Sequence, residues 1–82
     1  MNGVYLLTFA ALLNSKCGCV PQRSSESKRQ TDIQDIMFIL LLAIDKGMRF
    51  DPNEVPNATE DLQNAVMQYE EEIKQYFQAV GL

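Results

Sequence analysis

Histidine is absent from this 82-residue chain, and so is tryptophan. Without an imidazole there is no Ser–His or Cys–His pair to activate a nucleophile. Cysteine is confined to Cys17 and Cys19. Two thiolates are half of a four-ligand zinc site, and no histidine can complete it. A single neighbouring base, Lys16, is a thin basis for a reactive thiol, so both cysteines are expected to be free and reduced. Glycine (four) and proline (three) are scarce, so loops are few and no Gly-rich phosphate cradle exists. The segment from Asp45 to Pro56 is no calcium loop either. Gly47, Arg49 and Pro56 stand where oxygen ligands would be needed. Glu70, Glu71 and Glu72 are consecutive, so they fan around a helix instead of converging on a site. The expectation is a non-enzymatic protein with no cofactor and no metal.

What is present is apolar content at 46% against 22% charged residues, the composition of one small folded domain spanning residues 1–82. The charge is unevenly spread. Residues 1–30 carry Lys16, Arg23, Lys28 and Arg29 against Glu26, a net of +3. Residues 31–82 carry three basic and ten acidic groups, a net of −7. An acidic body repels phosphate backbones, so nucleic acid is not an expected partner.

The longest uncharged apolar run is "IMFILLLAI", residues 36–44. It lies within a helix expected over about 32–46. Thr31 and Gln34 have the spacing of a capping box, and Gly47 suits a left-handed residue just past the end. Met48, Phe50 and Val55 are expected to anchor the connection that follows. A second helix is expected over about 58–80. Asn57 and Glu60 mark its start, and Leu62, Val66, Tyr69, Ile73, Tyr76 and Val80 recur at alternating spacings of four and three. Ala65 and Phe77 widen that stripe, and Glu70 precedes Lys74 by the four residues that favour an ion pair. Two such helices joined by a short connection make an antiparallel hairpin, an all-α fold.

One partner helix covers one stripe. Ile33, Ile36, Met37, Leu40 and Ile44 can meet the second helix, while Phe38, Leu41 and Leu42 point elsewhere. Burying a large apolar side chain is worth about 1.5–3 kcal/mol, so a second cover is expected. It could be an N-terminal helix over about 3–15, giving a small three-helix bundle, or a second copy of the chain, or another protein. A bilayer is not expected, because spanning it takes about 20 apolar residues.

Val4 to Leu13 also has the length of a secretory h-region. No Lys or Arg precedes it, and Lys16 interrupts the expected cleavage pattern, so a retained helix is preferred. Residues 16–30, with their Ser, Gly, Pro and charges, are expected to form a flexible linker. Residues 55–69 loosely resemble the turn and second helix of type III secretion needle subunits, over a generic helix-start pattern from which no function is carried across.

The functional expectation is a small protein–protein interaction module, a regulator, inhibitor or adaptor, acting through apolar and acidic helix surfaces and self-associating. Phe38, Leu41 and Leu42 on the uncovered face, and Tyr69, Tyr76 and Phe77 along the seam, are the expected partner-binding residues. A cytoplasmic setting is preferred. The alternative is a secreted helical protein or effector with a cleaved signal over residues 1–19 and dibasic processing at Lys28–Arg29. In that case the sequon at Asn57 would be open to glycosylation.

Overall fold

Helix formation runs through more of the N-terminal half than its composition suggests. The computed structural model describes residues 2–82, with side chains from Phe9 onward. The fold is all-α. Helix α1 spans Asn2–Cys19, α2 Glu26–Asp45, α3 Glu60–Met67 and α4 Ile73–Ala79, and a 3₁₀ turn at Val20–Gln22 follows α1. Pro21, which lacks a backbone donor, sits in that turn and bars α1 from continuing. The expected N-terminal helix is therefore present and longer than 3–15. The anticipated packing of Val4 and Leu7 lies outside the described side chains.

The expected linker at 16–30 is corrected. Residues 16–19 complete α1, residues 20–22 form the 3₁₀ turn, and α2 has begun by Glu26. Ser25 caps α2, its Oγ accepting from the backbone of Lys28 at 3.5 Å, with Glu26 adding favourable charge in the first turn. Thr31 is one and a half turns inside. Its hydroxyl donates to the Ser27 carbonyl at 3.0 Å, so it is not a cap. Polar composition hid a segment in which Cys17 and Val20 are core residues.

The other end of α2 is as expected. Gly47 has φ +70°, its N–H donates to Ile44, and Met48 N–H reaches back to Ala43 at 2.8 Å, a Schellman closure. The connection then returns to the core through Phe50 and Val55, both buried. Phe50 N–H donates to the Val80 carbonyl at 2.6 Å. Gly81 (φ +92°) lies so close that a Cβ would stand 2.9 Å from the Phe50 carbonyl oxygen.

The single helix expected over 58–80 is divided. Residues 68–72 form turns between α3 and α4, which pack on each other. Lys74 Nζ meets Asn64 Oδ1 at 3.0 Å across the bend, in place of the expected pair with Glu70. A straight helix over those residues would be about 34 Å long, more than the 20-residue α2 can line. Folding back lets Val66, Ile73, Phe77 and Val80 all reach full burial. The cap is also corrected. Thr59 Oγ1 accepts from Leu62 N–H at 3.1 Å, while Asn57 is engaged with α1.

Helix α2 is the central element, with α1 along one side and α4 along the other. Its buried residues are Asp32, Ile33, Ile36, Ile39, Leu40 and Ala43. The covered stripe is thus centred on Ile36, Leu40 and Ala43. It includes Ile39, leaves Met37 half-buried and leaves Ile44 exposed. Two flanking helices cover a wider and differently centred sector than the single partner assumed from the sequence. From α1 and its 3₁₀ turn come Ala10, Leu13, Cys17 and Val20. Among the described residues, no buried side-chain nitrogen or oxygen lacks a hydrogen-bond partner.

Candidate functional site

The outer side of α2 is where large apolar side chains stay in water. Phe38 is 67% exposed and Leu41 45%. Three residues apart, they are neighbours on the helix surface. Gln34, four before Phe38, and Asp45, four after Leu41, are also exposed and bracket the pair with polar groups. Leu42 is half-buried at the margin. Ile44 and, on α1, Leu12 are further exposed apolar residues.

The other three expected partner residues do not join this face. Phe77 has no solvent exposure and is a core residue, which corrects its assignment to a binding surface. Tyr69, just past α3, is half-buried with its hydroxyl accepting from Arg29 Nη1 at 3.3 Å. Tyr76 on α4 donates its hydroxyl to Glu72 Oε2 at 3.1 Å, and that bond raises its pKa by holding the proton.

An ionic cluster joins α1, the 3₁₀ turn and α2. Asp32, only 3% exposed, accepts from Arg23 Nε at 2.6 Å and lies 3.6 Å from Lys16 Nζ. Lys16 also reaches Asp35 at 2.9 Å. The Arg23 hydrogen bond is the main reason the Asp32 carboxyl is held below its usual pKa, against the opposing effect of burial. The cluster draws two cations of the basic N-terminal third onto two carboxylates of the acidic body. Asn57 fixes the 48–59 connection to α1. Its N–H donates to Asn14 Oδ1 at 2.8 Å and its Nδ2 to the Asn14 carbonyl at 3.1 Å.

Between the end of α1 with its 3₁₀ turn and α3 there is an open groove of about 650 Å³, within the size range of ligand clefts. Val20, Leu62 and Ala65 give it an apolar lining, with Cys17 beneath. Arg29, Tyr69 and Asp61 also line it. Arg29 is held in place by its bonds to Tyr69, to the Arg23 carbonyl at 2.7 Å and to Glu26 at 3.3 Å.

Both cysteines are free. Burial pushes the Cys17 thiol up to about 12, so it stays protonated and behaves as a small apolar side chain. Among the described residues, no three Cys, Asp or Glu side chains are grouped to hold a metal ion. No described helix is long and apolar enough to cross a membrane.

No family model, no curated protein and no solved structure is significantly similar to this chain. Its fold and surface chemistry therefore carry the functional reading. Sequence reasoning anticipated the exposure of Phe38 and Leu41, because an uncovered side follows from a run that is apolar all round. It missed Asp32, Arg29 and the groove. The available signal was that Asp32 falls on the same side of α2 as Ile36, Ile39 and Ala43, so a charge there requires a cation from elsewhere.

Proposed function

We propose that this protein is a small non-enzymatic interaction module, a regulator, inhibitor or adaptor, that presents the Phe38–Leu41 face of α2 to another chain. The observation that carries the reading is the 67% exposure of Phe38 beside Leu41 on a chain whose other described phenylalanines are buried or half-buried. A pair of large apolar side chains rimmed by polar ones is the anatomy of a small binding patch. A second copy is the partner proposed first, because an α2 face meeting its own image closes a two-fold dimer with no further requirement. A different protein is the other candidate. The acidic body disfavours a nucleic-acid partner.

The proposed working form keeps α1, and its proposed setting is the cytoplasm. Support comes from the use made of the N-terminal third. Leu13 and Cys17 have almost no exposure, Lys16 and Arg23 neutralise Asp32, and Asn14 holds Asn57. The Lys28–Arg29 pair lies within α2, with the Arg29 guanidinium tied to three groups, which makes it a poor protease site. Sedimentation of the purified chain at micromolar concentration, with an apolar dye alongside, tests the reading. Self-association, or dye binding that Phe38→Ser abolishes, is expected. A monomer that binds no dye would overturn it. The intact mass of the native protein tests the setting. A chain beginning near Val20 or Gln30, or carrying glycan on Asn57, would make extracellular activity the better reading.

A further inference from the structure

The groove between α1 and α3 has features that the Phe38–Leu41 face lacks. It is concave, and its lining carries groups of both signs, Asp61 and an Arg29 that is also bonded to Glu26. Asp61 is in the first turn of α3, and Tyr69, which bonds Arg29, is just past its last turn. Eight positions at 1.5 Å rise separate Asp61 from Tyr69 by about 12 Å along the α3 direction. The lining also includes apolar groups, Val20, Leu62 and Ala65, and the polar residues Gln22 and Gln68. The three hydrogen bonds of Arg29 use only its Nη nitrogens, so its Nε–H is outside them.

We propose that this groove binds an extended peptide segment, apolar in its middle, with a basic group at one end and an acidic group about four residues away. The spacing follows from the rise of an extended chain, about 3.3 Å per residue, against the roughly 12 Å between positions 61 and 69 along α3. The basic group pairs with Asp61 and the acidic one with Arg29. The Gln22 and Gln68 amides can satisfy the backbone donors and acceptors that an extended segment brings with it. A purely aliphatic ligand would leave those amides and both charges unmatched, which costs affinity. The site is separate from the α2 face, so its success or failure is independent of the interaction proposed there.

The test uses the full chain and a fluorescein-labelled peptide, Gly-Gly-Lys-Val-Leu-Val-Glu-amide, read by anisotropy. Saturable binding is expected with Kd below roughly 1 mM. Ala65→Trp, at an exposed position lining the groove, should weaken it roughly tenfold or more without changing helix content, whereas Phe38→Ser should leave it unchanged. Asp61→Lys should reverse the preference, favouring the peptide with Glu at both ends over the Lys/Glu one. Absence of saturable binding would overturn the proposal. So would binding indifferent to Ala65→Trp, binding lost in Phe38→Ser, or an unchanged charge preference in Asp61→Lys.

Discussion

Leu40 and Leu41 are adjacent and chemically identical, yet Leu40 has no solvent exposure and Leu41 keeps 45%. Within the run 36–44 both sides of α2 are apolar in sequence, and they are opposite in fate. On the inner side, α1 and α4 supply Leu13, Ile73 and Phe77 to a closed core. On the outer side no described element arrives, and Phe38 and Leu41 remain in water. Apolar character alone therefore does not mark the core. Where neighbours stop, the same kind of side chain becomes a surface available to a partner. The inner side is also held by charge, because Asp32 draws Lys16 and Arg23 against it. The outer side has Gln34 and Asp45 at its margins and no such tie.

The contrast can be broken first at its strongest point. Ile73 on α4 has no solvent exposure, and Ile73→Asp would bury an unpaired charge where α4 meets α2. A loss of about 4 kcal/mol or more is expected, enough to unfold a domain this small, and chemical denaturation with far-ultraviolet circular dichroism measures it. A folded Ile73→Asp chain would mean that α4 is not part of the core.

A smaller effect is expected at Asp32. Asp32→Asn keeps the shape and removes the charge that two cations share. Both cations are partly exposed, so screening limits the loss to about 1–3 kcal/mol. The same group predicts a pH dependence. Its folded pKa is lowered, mainly by the Arg23 hydrogen bond, so its contribution is fully present above the unfolded value of about 3.9. The contribution is lost as pH falls from there through the lowered folded value. Stability measured between pH 6 and pH 3, in roughly half-unit steps, should fall more steeply at the acid end for the native chain than for Asp32→Asn. Parallel curves would remove Asp32 from the account of how α1 is held.

The smallest stability effect is expected on the outer side. Phe38→Ser should change unfolding free energy by no more than about 0.5 kcal/mol, since the ring is largely solvated already. A drop comparable with that of a core substitution would show that the face is covered within the chain.

Much of this architecture was legible in the sequence. The all-α class, the N-terminal helix, the Gly47 closure and the Phe50 and Val55 anchors follow from local patterns that the fold respects. Three features were not legible, each because a long-range partner decides it. Residues 16–30 are polar enough for a linker, but Lys16 and Arg23 are polar in order to meet Asp32. The break at residues 68–72 contains neither Gly nor Pro, and the return of α4 onto α3 and α2 produces it. Asn57 has the residue type of a cap, but Asn14, 43 positions away, takes its hydrogen bonds and leaves the cap to Thr59. The site was legible to the same degree. Exposure of Phe38 and Leu41 followed from periodicity, whereas the groove depends on how the end of α1, its 3₁₀ turn and α3 are set in three dimensions.

The comparison between neighbours is also its sharpest test. Leu40→Asp and Leu41→Asp place the same charge one residue apart, and each variant can be followed by circular dichroism and by sedimentation. Leu40→Asp should lose its helical signal and cooperative melting. Leu41→Asp should keep both and lose self-association or apolar-dye binding. Two variants that unfold alike, or a Leu41→Asp chain that associates as the native chain does, would contradict the division of α2 into a folding face and a binding face.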